Sequence, residues 1–237
     1  MMLVRLENNA SWSILMRMLI LLLLSCDVAR GSCFGKKLLR TGRISCEDKQ
    51  IILDEHNRLR QLVALGHIRD QPAAANMMEM IWDDRLAVEA QRWAESCQEK
   101  HDTVYLRRWT ESQNIARSYS RKPRDSDPDW RLHISSWFNE VYHYRSGYSE
   151  STGHYTQMVW SDSFRIGCGY AFYYDPAKGY IKNYVCNYAP GGNIIGSRPY
   201  QPGQPACSNY GMIYSNRYAG LCSPGNYYHL GALCVHD

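Results

Sequence analysis

Hydrophobic residues recur with helical spacing in three parts of the chain, which predicts three helices. Ser45 can cap the first of them, and Gly66 can end it. Asp83 or Asp84 can cap the second, whose pattern extends to about residues 101–102. The apolar face of this second helix contains Leu86, Ala90, Trp93, Ala94 and Cys97.

The third helix is predicted to begin near Trp130, after a polar stretch with two prolines at residues 117–129 that predicts a flexible surface loop. Its inner face contains Ile134, Trp137, Val141 and Tyr144. The same spacing places Glu140 on or beside the buried face. A buried carboxylate is costly unless it is paired, so Glu140 is a candidate site residue.

Alternating apolar and polar positions predict two strands, residues 166–174 and residues 180–188, joined by a turn. Cys168 and Cys186 then lie on neighbouring strands, well placed for a disulfide. A further short strand is predicted at residues 80–82. Helices interleaved with strands indicate an α+β layered domain.

The N-terminus has the features of a secretory signal. Arg5 and Arg17 precede an apolar run at residues 18–24, which is too short to span a bilayer. Small residues at Ala29 and Gly31 predict cleavage after Gly31, with an uncleaved anchor as the alternative. No other stretch approaches membrane length, so we expect no transmembrane span in the mature chain.

The cysteine count supports export. One of the nine cysteines, Cys26, falls in the leader, and an even number in the mature chain predicts four disulfides. The eight are Cys33, Cys46, Cys97, Cys168, Cys186, Cys207, Cys222 and Cys234. No CxxC pair supports a structural zinc site. The net charge of +4 is mild and the basic residues are scattered, which argues against nucleic-acid binding.

Two long segments carry a resemblance to a known family. Residues 153–160 (GHYTQMVW) and 184–188 (YVCNY) resemble the signature motifs of the CAP superfamily, which groups cysteine-rich secretory, antigen-five and pathogenesis-related-one proteins. The family's earlier segments are matched in order by residues 56–60, 74–77 and 82–84. Residues 97–103 resemble the arthropod antigen-five venom allergens in particular.

The resemblance implies an α-β-α sandwich with a three-stranded antiparallel sheet between helix layers. The resemblance also predicts the segment boundaries of the chain. The predicted parts are a signal peptide (1–31), an N-terminal disulfide-tethered segment (32–47), a CAP domain (48–196) and a cysteine-containing C-terminal extension (197–237).

The antigen-five resemblance implies a second disulfide, Cys33–Cys97. Four cysteines are then left, and three pairings of them are possible. The pairing we favour is Cys207–Cys222 with Cys46–Cys234.

Two histidines and two acidic residues converge in an open cleft in this family. The matching positions here are His101, Gln113, Glu140 and His154. Gln113 stands where the family has an acid, and an amide neither acts as a base nor carries negative charge.

Three interpretations of this cluster remain open. The first is a weak Zn²⁺ site in which His101 and His154 bind the ion and Glu140 orients a ring or a bound water. The second is a hydrolase site with His154 or Glu140 as general base, and the third is a structural hydrogen-bond network. No Gly-x-Ser-x-Gly or His-Glu-x-x-His motif is present, and nothing marks Ser161 or Ser163 as activated. We therefore expect a non-enzymatic protein.

The resemblance also implies binding of a sterol or a fatty acid. Candidate lipid contacts are Tyr119, Trp130, Trp137, Phe138 and Tyr142, although helical aromatics are usually core residues. The alternative is an extracellular effector of venom or saliva that recognises a host or prey receptor. Its target cannot be named from the sequence, and the few cysteines of residues 197–237 disfavour ion-channel block.

Overall fold

A computed structural model gives the structure of residues 33–42, 44–103, 106, 110–123 and 125–223. The predicted signal peptide lies outside these residues, and so does the last part of the predicted C-terminal extension.

Four α-helices matter for the position of the site, and the first three begin at capping side chains. They are α1 (Cys46–Ala64), α2 (Asp84–Glu95), α3 (Trp130–Phe138) and α4 (Gly153–Met158). Ser45 caps α1 and Asp83 caps α2, as their sequence positions predict. Asp129 caps α3 by accepting a hydrogen bond from the amide of Leu132 at 3.0 Å. Helix α4 has no side-chain cap, and its first amides are satisfied within the cleft described below.

Helix α2 is shorter than predicted, which corrects the extension to residues 101–102. It ends at Glu95 because Cys97 adopts a left-handed backbone conformation, with φ of 56°, and is bridged to Cys33. His101 therefore lies in an irregular segment beyond the helix.

The main sheet contains three long antiparallel strands, as predicted, and is widened by two short ones. Its strands are β1 (Lys37–Arg40), β2 (Ile81–Trp82), β3 (Ser112–Ser120), β4 (Arg165–Asp175) and β5 (Gly179–Ala189). The order is β1-β4-β5-β3, with β2 parallel to β4. A separate hairpin pairs β6 (Ile213–Tyr214) with β7 (Cys222–Ser223). The predicted α+β class is confirmed.

Strand β3 corrects the prediction of a surface loop at residues 117–129. Its pairing with β5 continues from Ser112, opposite Tyr188, to Ser120, opposite Tyr180. A strand at the edge of a sheet has one open side and tolerates polar residues, which is why its sequence resembles a loop.

Both faces of the sheet are covered by helices. Helix α2 approaches one face so closely that a Cβ added at Gly169 would lie 2.3 Å from the Cα of Gln91. The side chain of Gln91 then bonds both backbone groups of Tyr170, at 2.8 and 2.9 Å. On the opposite face, α1, α3 and α4 share the largest buried core with alternate residues of β4 and β5. The result is the α-β-α sandwich that the resemblance implies.

Disulfides join the peripheral segments to this core. The structure contains Cys33–Cys97, Cys168–Cys186 and Cys207–Cys222, the three predicted pairs that fall within the described residues. Cys46 is also disulfide-bonded, but its predicted partner, Cys234, lies outside the described residues. The bridge to Cys222 places β7 beside residues 77–79, where the amide of Cys222 donates to the carbonyl of Met77 at 2.7 Å.

Arg60 is a fully buried cation in α1. Its guanidinium donates to the carbonyl oxygens of Met78, Met158, Trp160 and Ser161 at 2.6 to 3.2 Å. Carbonyl oxygens thus replace the water that the guanidinium loses on folding. The bonds also fix the chain that follows α4 against α1.

Candidate ligand-binding cleft

An open cleft of about 450 Å³ lies where β3 begins and α4 begins. Its walls include His101, Gln113 and His154, so three of the four predicted positions face a common space. The remaining lining residues are Leu106, Glu111, Ser112, Asn114, Tyr148, Glu150, Gly153 and Asn193.

Gln113 fixes His101 rather than acting as an acid. Its Oε1 accepts from the amide of Asp102 and from Nδ1 of His101, both at 3.2 Å. Its Nε2 donates to Oδ1 of Asn187 on the neighbouring strand at 2.9 Å. The amide therefore keeps the orienting role of a carboxylate while it removes the negative charge.

Glu140 fixes His154 from behind. Its Oε1 lies 2.6 Å from Nδ1 of His154, and its Oε2 accepts from the amides of His154 and Tyr155 at 2.9 and 3.1 Å. These two amides belong to the first turn of α4, where a negative charge is stabilised. Both carboxylate oxygens are thereby occupied, so Glu140 orients His154 rather than facing a ligand.

The two hydrogen bonds assign the same tautomer to both rings. Oε1 of Gln113 already accepts from a backbone amide and Glu140 is an acceptor, so Nδ1 carries the proton in His101 and in His154. Nε2 is then the lone-pair nitrogen of each ring, and no described residue hydrogen-bonds to it. Such orientation by a second hydrogen bond is typical of metal-binding histidines.

The environment favours the neutral form of His101. Burial lowers its pKa, the hydrogen bond that Nδ1 donates to Gln113 opposes this, and the neighbouring His154 lowers the pKa further. A neutral imidazole is the form that binds a metal ion.

A hydrogen-bonded chain behind the cleft was missed from the sequence. Asn114 donates to the carbonyl of His154 at 3.1 Å and to the hydroxyl of Tyr188 at 3.4 Å. Tyr188 in turn lies 3.0 Å from Nε2 of His56, which is fully buried in α1. The sequence signal was present, since His56 and Tyr188 fall in the motif segments and Asn114 follows the cleft residue Gln113, but alternation alone assigns no polar role to them.

His56 predicts a specific pH dependence of stability. Burial lowers its pKa to about 4, whereas the unfolded chain keeps the ordinary value of 6.5. Below pH 6.5 the unfolded chain binds a proton that the folded protein does not. The free energy of unfolding therefore decreases as the pH is lowered from 6.5 to about 4. The loss from this group reaches about 3 kcal/mol.

Urea unfolding across this pH range measures the effect. The fall in stability on acidification is expected to be smaller in His56→Gln than in wild type. The control His67→Gln changes an exposed histidine and keeps the wild-type slope. Parallel curves for wild type and His56→Gln would contradict the assignment.

The donor set fits only a weakly held metal. Among the described residues, no group of three or more His, Cys, Asp or Glu side chains is placed to hold an ion. Two imidazole nitrogens remain as protein ligands, and water would complete the coordination.

The predicted lipid contacts do not form one surface. Trp137 stacks against His154 with ring centroids 6.1 Å apart, and Phe138 packs against Tyr155 in the core. Tyr142 is 72% exposed. Only Tyr119 and Trp130 share a cavity, which is separate from the cleft and has a volume of about 500 Å³.

These features define a class of protein, an α-β-α sandwich with disulfide bridges and an open cleft between two oriented histidines. The chain belongs to the cysteine-rich secretory protein family, CAP, whose family model matches residues 53–188.

Relatives and solved structures agree with this membership. The chain is 35% identical to salivary antigen-5 of Triatoma infestans over 209 residues, 79% of this chain and 86% of that protein. It is 38% identical to venom allergen 5 of Vespula maculifrons over 179 residues, 70% of this chain and 78% of that protein. The crystal structure of NaASP2 with Zn²⁺ is similar, with 29% identity, a TM-score of 0.62 and coverage of 78% of this chain and 99% of that one. The antigen-five resemblance is confirmed.

Within the described part of the chain, no helix has the length and apolar character needed to cross a bilayer.

Proposed function

We propose that this chain is an extracellular, non-enzymatic antigen-five-like protein whose cleft binds a divalent transition metal weakly. The observation that carries the proposal is the shared orientation of His101 and His154, each with Nδ1 engaged and Nε2 left for a ligand. A similar protein has been crystallised with Zn²⁺. Zn²⁺, with its preference for imidazole, is the ion that suits this donor set.

The contacts of the nearby serines support a non-enzymatic role. The hydroxyl of Ser163 donates to the carbonyl of Pro190 at 2.6 Å. That of Ser161 is bonded to Asn76 and Asp162 at 3.0 and 3.1 Å. Neither hydroxyl is hydrogen-bonded to a histidine, which a serine nucleophile needs as its base. Glu140 has both oxygens engaged and is unsuited to act as a general base.

Lipid binding is a second candidate, supported by the cavity that Tyr119 and Trp130 line. Four aspartates also line it and would repel the carboxylate of a fatty acid, which leaves a neutral sterol as the better lipid. A binding assay with a radiolabelled sterol checks this candidate, and absence of saturable uptake would remove it. Action on a host or prey receptor remains the alternative, suggested by the salivary and venom relatives.

Calorimetric titration of Zn²⁺ tests the metal proposal. Wild type is expected to bind one ion with micromolar or weaker affinity, and His101→Ala/His154→Ala is expected to lose this binding. A matched control, His67→Ala/His143→Ala, removes two exposed histidines away from the cleft and keeps wild-type binding.

Equal binding by wild type and the cleft variant would refute the metal site. Turnover of an ester or peptide substrate by wild type, lost in the cleft variant, would overturn the non-enzymatic assignment.

A further inference from the structure

A second cavity lies between the first turns of α1 and α3 and the ends of β3, β4 and β5. Its volume of about 500 Å³ suits a small organic molecule. It shares no lining residue with the histidine cleft. Five aromatic side chains line it, namely Tyr119, Trp130, Phe172, Tyr180 and Tyr184.

More negative than positive side chains line this cavity. The carboxylates are Asp48, Asp125, Asp127 and Asp129, and the cations are Arg131 and Lys182. Burial lowers the pKa of His133, which also lines the cavity, and so disfavours the cationic form of this ring.

Two of the four carboxylates are already compensated. Lys182 binds Asp125 at 2.9 Å, and Arg40 binds Asp127. The other cation, Arg131, faces Glu55 of α1 at 3.5 Å.

Asp48 and Asp129 form no ion pair with any described residue. Asp48 accepts from the hydroxyl of Ser45 at 2.7 Å, and Asp129 accepts from the amide of Leu132 at 3.0 Å. Each carboxylate uses one oxygen in these bonds, so its second oxygen can bind a ligand.

Two buried rings on the same wall carry polar atoms without hydrogen bonds. Trp130 is 2% exposed and its indole Nε1 has no acceptor. His133 is 7% exposed and its ring is tilted against that of Tyr184, with centroids 4.0 Å apart, but no described residue hydrogen-bonds to it. The indole nitrogen of Trp130 is enclosed by protein, whereas the ring nitrogens of His133 are not, so His133 is the group that can bond a polar oxygen of a ligand.

We propose that this cavity binds, in preference to the sterol considered above, a small protonated amine that carries an aromatic ring and a hydroxyl group. The ammonium group lies between Asp48 and Asp129, where it balances the negative charge of their carboxylates. The ring packs on the aromatic wall, and cation–π attraction to the tyrosines adds to binding. The hydroxyl bonds to the ring of His133.

A matched series of small probes tests the charge. Tyramine, tyrosol and 4-hydroxyphenylacetate share a hydroxyphenyl ring but are cationic, neutral and anionic. By calorimetry, tyramine is expected to bind saturably, tyrosol at least about fivefold more weakly, and the anion not measurably, since each exposed ion pair contributes up to a few-fold. Phenethylamine, which lacks the hydroxyl, is expected to bind more weakly than tyramine.

The variant Asp48→Asn/Asp129→Asn removes both charges and keeps both helix starts, because asparagine at position 129 caps α3 as well as aspartate does and Ser45 still caps α1. Tyramine affinity is expected to fall at least about fivefold, to that of tyrosol. The control Asp70→Asn removes one distant exposed charge and leaves affinity unchanged.

Three results would overturn the proposal. They are no saturable tyramine binding by wild type, unchanged affinity in the double variant, and tighter binding of palmitate or a neutral sterol than of tyramine. The third would assign the cavity to a lipid. None of them bears on the metal proposal, whose cleft is separate.

Discussion

Arg60→Met is expected to lower the free energy of unfolding by about 4 kcal/mol. Methionine fills most of the volume but donates no hydrogen bond. The carbonyls of Met78 and Met158 would then lose their guanidinium donor, whereas those of Trp160 and Ser161 keep the backbone donors Ser163 and Met78. Each buried acceptor without a partner costs about 1 to 3 kcal/mol.

Urea unfolding of wild type and variant measures this loss. Arg60→Lys is expected to recover only part of it, because a single ammonium group cannot reproduce the fork of a guanidinium. The control Arg69→Met, at a position 94% exposed in its side chain, is expected to change stability little. A loss below about 1 kcal/mol for Arg60→Met would show that methionine packing offsets the bonds, as happens for some buried ion pairs.

Glu140→Gln is expected to weaken Zn²⁺ binding in the cleft by about 10- to 100-fold, the usual effect of losing a group that orients a ligand. Glutamine can accept from Nδ1 of His154, but its amide nitrogen then faces the backbone amides of His154 and Tyr155, which are also donors. His154 would lose its fixed ring position.

Zn²⁺ titration at a temperature well below unfolding measures this change. Glu150→Gln is the matched control, since it removes a charge from the rim of the same cleft without a hydrogen bond to His154. Similar losses in both variants would mean that cleft charge, rather than ring orientation, governs affinity. An unchanged affinity in Glu140→Gln would contradict the role of Glu140.

The sequence by itself determined the local elements whose signals are short-range. Capping residues such as Ser45 and Asp83 located helix starts, because a side chain and an amide three residues on are always close. Alternation in residues 166–174 and 180–188 located the hairpin, in which Cys168 lies opposite Cys186. The motif segments identified the family and the residues of the cleft.

Tertiary structure alone decided what depends on contacts between distant segments. The polar strand β3 exists because β5 pairs with it along its whole length, and no local pattern records that partner. The burial of Arg60 depends on carbonyls about a hundred residues away. The orientation of His154 likewise depends on a carboxylate fourteen residues earlier and on the start of α4. Hydrogen bonds of this kind leave no periodicity in a sequence, since each is fixed by the packing of whole helices against the sheet.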